Sequence, residues 1–108
     1  MLDLYYTDPS TTDMPDDPGS LELAGSIDLD AHRSLAVLFD KGSQAGAGLK
    51  YFEDSFLQPA QVATLMKIFM ANARELGSNC EALAAFEAMR GIFEAALVKG
   101  AGLAAFSD

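Results

Sequence analysis

Apolar positions in the second half of the chain fall into two helical stripes. Val62, Leu65, Met66, Phe69, Met70, Ala73 and Leu76 recur at the spacing of one helix face behind Pro59. Proline suits the first position of such a helix, where its missing N–H does no harm. Gly77 stands where a helix-ending glycine belongs. A second stripe, Leu83, Phe86, Met89, Phe93 and Leu97, follows the capping-box pattern "SNCE" at 78–81 and ends at Gly100. So short a connection predicts an antiparallel helical hairpin. Eleven alanines between 71 and 105 let the helix axes approach closely. The methionines at 66, 70 and 89 lie at helical spacing and read as core filling.

Upstream the pattern is shorter in period and more broken. "MLDLYY" predicts a short first strand. "TDPSTTDMPDDPGS" holds three prolines and reads as a loop of about a dozen residues, a length that leans toward function. In "LELAGSIDLD", Leu21, Leu23, Ile27 and Leu29 alternate with Glu22 and Asp28. That predicts either a hairpin turning at Gly25-Ser26 or one bent strand. "DAHRSLAVLFDKG" predicts a helix with Asp30 as N-cap, Leu35, Leu38 and Phe39 inward, and Gly42 as its stop. "GSQAGAG" is a flexible connector. "LKYFEDSFL" places Leu49, Phe52, Phe56 and Leu57 at helical spacing. It predicts a short helix with both phenylalanines in the core, stopped before Pro59. "AGLAAFSD" reads as a tail docked through Leu103 and Phe106. The expected architecture is α+β and helix-dominated: one domain over 1–108, with an N-terminal hairpin or small sheet packed on three to four helices.

Composition narrows the class. Half of the 108 residues are apolar, which excludes a disordered chain. The single cysteine, Cys80, excludes an internal disulfide framework and fits a reducing compartment. The N-terminus lacks a signal-peptide pattern, and no run of about 18 apolar residues offers a membrane span. A cytoplasmic protein is expected.

Charge changes the picture most. Residues 1–54 carry 11 acids against Arg33, Lys41 and Lys50, a net of −8, whereas 55–108 carry a net of −1. Such a field repels nucleic acid and anionic membranes and attracts cationic proteins. No nucleic-acid or membrane partner is expected.

Candidate chemistry is sparse. Asp28, Asp30 and His32 mix carboxylate with imidazole, but three ligands across a strand-to-helix junction seldom converge, so no metal is expected. Cys80 lacks a base beside it and reads as a structural thiol. Gly42, Gly46 and Gly48 ahead of Lys50 miss the spacing of a phosphate loop. "DMPDDPG" lacks the alternating ligands of an EF-hand. Glu53 and Asp54 are adjacent and diverge on a helix, a poor acid/base pair. No catalytic residue, enzyme activity or cofactor is expected. Tyr51, Glu53 and Asp54 instead combine an aromatic ring with acids, as interface anchors do.

The run "GLKYFEDSFLQPAQVATLMKIF", residues 48–69, is similar to chains of bacterial immunity proteins from polymorphic-toxin and type VI secretion systems. The likeness lies in an aromatic-acidic segment, a proline-started helix and a helical hairpin. It implies a cytoplasmic inhibitor that binds a cognate toxin and occludes its active site, and it transfers no functional residue. The expected contact surface is Asp13, Asp16, Asp17, Glu22, Asp28, Asp30, Tyr51, Glu53 and Asp54, gathered toward a basic surface on the toxin or effector. Such an inhibitor is a monomer when free. An acidic secretion chaperone, dimeric and holding an extended effector segment, is the alternative.

Overall fold

The computed structural model describes residues 1–16, 18–19 and 21–107. Four strands form one antiparallel sheet: β1 (Leu2–Tyr6), β2 (Glu22–Ile27), β3 (Ser55–Leu57) and β4 (Leu103–Ser107), in the order β2-β1-β4-β3. The helices are α1 (Leu29–Ser34), α2 (Ala36–Gln44), α3 (Pro59–Ala71) and α4 (Cys80–Lys99), with a 3-10 turn at Ala73–Leu76. The fold is α+β, with the expected hairpin of α3 and α4. Among the described residues no helix is long and apolar enough to cross a membrane.

Register decides which side chains meet the helices. Leu4 pairs with Gly25 on one side and Ala105 on the other, and Leu103 pairs with Tyr6 and Leu57. Leu2, Leu4, Ile27, Leu57, Leu103 and Ala105 therefore share the helix-facing side, and all six belong to the core cluster. Phe69 anchors the helical layer. Its ring lies 5.3 Å from Phe39, 5.1 Å from Phe93 and 5.8 Å from Phe86. The opposite sheet face carries Asp3, Tyr5, Leu23, Phe56 and Phe106. Leu23 is exposed there, while Tyr5 and Phe106 meet edge to face at 5.7 Å.

Several elements depart from the sequence reading. Of the two alternatives for residues 21–29, the bent strand is the one formed: β2 runs without a turn over Glu22–Ile27, and Leu29 already opens α1. A register shift between Leu4 and Tyr5 leaves Ala24 unpaired as a bulge, which bends the strand where Gly25-Ser26 suggested a turn. The tail is β4, an inner strand, because its backbone is needed between β1 and β3. Residues 49–57 are not helical. Residues 51–53 turn, and Ser55, Phe56 and Leu57 pair with Ala105, Ala104 and Leu103, so strand pairing overrides the local apolar spacing. The helix expected from Asp30 starts earlier, with Asp28 as its cap, and breaks at Leu35. Leu35 leaves helical dihedrals while its side chain is fully buried. Asn79, not Ser78, caps α4, its side-chain Oδ1 accepting from the Ala82 N–H at 3.0 Å. At the other end Gly100 adopts a left-handed conformation, φ +67°, as expected of a terminating glycine.

Candidate functional site

The antiparallel sheet has two ends. At one end sit Leu2, Ile27 and Ser107, and at the other Tyr6, Glu22 and Leu103. The chain enters α1 from the first end and returns there through residues 45–54 before β3. Between α1, α2 and this returning segment opens a cleft of about 350 Å³.

Aromatic contacts build the cleft. His32 lies parallel to Phe39 with ring centroids 4.3 Å apart, and Tyr51 meets His32 edge-on at 5.6 Å. His32 Nε2 lies 3.0 Å from the Leu49 carbonyl oxygen. A carbonyl only accepts, so Nε2 carries the proton, and in the neutral ring Nδ1 keeps a free lone pair. Phe39 and Leu49 are buried and floor the cleft. At its mouth stand Arg33, Asp40, Lys50 and Phe52, all exposed. Phe52 packs edge-on against Tyr51 at 5.0 Å yet remains 73 % exposed. Its expected place in the core is thus corrected: the turn that replaces the helix points it outward.

The eight described residues of the expected contact surface fall at two ends of the sheet. Asp28 and Asp30 lie at the start of α1, and Tyr51, Glu53 and Asp54 lie on the returning segment, so these five flank the cleft end. Asp13 and Asp16 belong to the connection that leaves the sheet after Tyr6, and Glu22, the first residue of β2, pairs with Tyr6 at that same end. Asp17 lies outside the described residues. The division follows from strand geometry. An antiparallel pair sends residues just before β2 and just after it to opposite ends, about 3.3 Å of separation per residue of strand.

Some of these acids also have structural duties. The Asp28 carboxylate accepts the Ala31 N–H at 2.8 Å and caps α1. Asp54 accepts the Ser107 N–H at 2.8 Å and holds the end of β4. Glu22 and Glu53 lie 3.6 and 3.8 Å from Lys99 and Lys50. Asp13, Asp16 and Asp30 make no ion pair among the described residues. No cluster of three or more His, Cys, Asp or Glu able to hold a metal is present among the described residues. Cys80 is exposed at the start of α4.

Sequence reasoning passed over His32, Arg33, Lys50 and Phe52 as a group. Their available signal was Arg33 and Lys50, two of only three bases among 54 residues, each next to an aromatic or imidazole ring at 32 and 51. The open sheet face of Tyr5, Phe56 and Phe106 was hidden because Phe106 read as tail and Phe56 as helix core. No protein-family model, curated protein or solved structure matches the chain.

Proposed function

We propose that this chain is a protein-binding inhibitor of the immunity type, which covers the active site of a cognate toxin or effector from its cleft end. The observation that carries the reading is Phe52, 73 % exposed beside Tyr51 and the carboxylates of Glu53 and Asp54. Exposing so large an apolar ring on a turn is unfavourable in water and supports a role in contact. A desolvated aromatic anchor ringed by polar groups is how interface hot spots are built. Asp28 and Asp30 extend the negative field on the same end, which favours a basic partner and fast encounter. In this reading the carboxylates stand in for the negative groups of the toxin's substrate.

The test is association with a candidate toxin, encoded beside this chain or recovered with it. Phe52→Ala should weaken affinity by about 2 kcal/mol, roughly thirtyfold, through faster dissociation. Its unfolding midpoint should stay unchanged because the ring is exposed. Glu53→Gln and Asp30→Asn should slow association, and the wild-type on-rate should fall with added salt. An on-rate indifferent to salt, together with Phe52→Ala binding like wild type, overturns the reading.

A further inference from the structure

The cleft has a chemistry of its own inside an acidic molecule. The chain carries 16 acids against 7 bases, yet Arg33 and Lys50 stand together at the mouth of this one cleft. Arg33 makes no ion pair among the described residues, and Lys50 reaches only the exposed Glu53 at 3.8 Å. One carboxylate, Asp40, shares the lining with these two cations. Beneath them lie flat apolar surfaces: Phe39 and Leu49 at the floor, the His32 ring stacked on Phe39, and Tyr51 set edge-on. The volume, about 350 Å³, is at the small end of ligand sites.

We propose that this cleft binds a small planar aromatic anion, a one- or two-ring aryl carboxylate or its like. Rings of His32, Tyr51 and Phe52 offer faces and edges against which a flat ligand packs in offset or edge-to-face geometry. Arg33 supplies a planar guanidinium able to hold a carboxylate by two parallel N–H bonds, and Lys50 supplies a point charge from the other wall. With Nε2 turned to the Leu49 carbonyl, the other ring nitrogen, Nδ1, is left for a polar group of the ligand. The acids outside the mouth repel anions at long range, so selectivity rests on the two cations at contact distance, where screening is weakest. The inference stands apart from the protein-binding reading, since a free small ligand needs no second protein.

Three probes of one shape separate the possibilities: 1-naphthoate, the neutral 1-naphthylmethanol and the cationic 1-naphthylmethylammonium. Each is titrated into the full chain and followed by amide and side-chain NMR shifts. Saturable shifts confined to residues 29–33, 39–43 and 48–52 are expected, with naphthoate at least about fivefold tighter than the neutral probe. Arg33→Gln and Lys50→Gln, both exposed and so not expected to disturb folding, should each remove that preference while leaving the neutral probe's affinity within about twofold. A preference for the ammonium probe overturns the proposal, as does the absence of saturable shifts with all three. Shifts centred on Tyr5, Phe56 and Phe106 also overturn it, because they place the aromatic-binding surface on the open sheet face. Binding of naphthoate with no effect of Phe52→Ala on a toxin sinks the protein-binding reading alone.

Discussion

His32 lies flat on Phe39, ring centroids 4.3 Å apart and planes within 2° of parallel, while its Nε2–H reaches the Leu49 carbonyl at 3.0 Å. One side chain thereby ties α1 to α2 and to the segment returning toward β3. Leu49 is itself buried, so its carbonyl has few other donors to turn to. The cleft owes its shape to this three-way tie.

His32→Phe keeps a ring on Phe39 and removes the donor. It should cost about 1–2 kcal/mol, the lower part of the range for an unsatisfied acceptor, because this bond is only partly buried. His32→Ala also removes the ring contact and should cost about 1 kcal/mol more. Urea unfolding of the two variants beside wild type checks the difference. Equal midpoints for the two would mean that the ring stack contributes nothing.

How much of this was legible in the sequence varied with where the determining contacts lie. The α3–α4 hairpin was readable because its signals are local: Pro59, two apolar stripes and Gly100 all act within a few residues. Residues 49–57 were not, since their strand pairing partners are Ala105, Ala104 and Leu103, about fifty positions away. Leu49, Phe52, Phe56 and Leu57 fit a helix face by spacing alone, and only β4 decides otherwise. The division of the acids between two ends was equally hidden, because it depends on the antiparallel return of β2 along β1. Tyr51, Glu53 and Asp54 stand close together in the chain and lie together at the cleft end, whereas Phe52 between them faces water, although its spacing to Leu49 and Phe56 fits a core face.

Asp8 gives a pH-dependent prediction. Its carboxylate accepts from the Ser10 hydroxyl at 2.6 Å and the Ser10 N–H at 2.9 Å, and these bonds hold its pKa below the usual aspartate value. The folded state therefore releases this proton at lower pH than the unfolded state does. The stabilisation is present above the unfolded pKa and is lost as pH falls through the lower folded one. A carbon-13 titration of the Asp8 carboxyl should show the low midpoint, and Ser10→Ala should move it upward. A midpoint unchanged by Ser10→Ala would contradict the assignment.

Asp54 separates charge from structure. Asp54→Asn keeps an Oδ1 acceptor for the Ser107 N–H and removes only the negative charge. Asp54→Ala removes both. Hydrogen exchange at the Ser107 amide should quicken markedly in the alanine variant and little in the asparagine one, with a stability difference of about 1 kcal/mol between them. If partner binding depends on charge at this position, both variants should slow association equally.

Two glycines predict opposite outcomes from the same substitution. A Cβ on Gly102 would overlap the Leu57 carbonyl oxygen and lie 2.8 Å from Thr7 Oγ1. Both neighbours are fixed: Leu57 by pairing in β3, and Thr7 by its N–H bond to the Gly102 carbonyl at 3.0 Å. Relief requires β4 to move away from β3, so Gly102→Ala should cost about 2 kcal/mol or more. Gly91 lies mid-helix in α4, exposed, with nothing within 4 Å of an added Cβ. There alanine removes unfolded-chain freedom without strain, and Gly91→Ala should stabilise by about 0.5–1 kcal/mol. Thermal unfolding of the two variants should bracket the wild-type midpoint. A stabilising Gly102→Ala would mean that β3 and β4 do not approach as closely as their register requires.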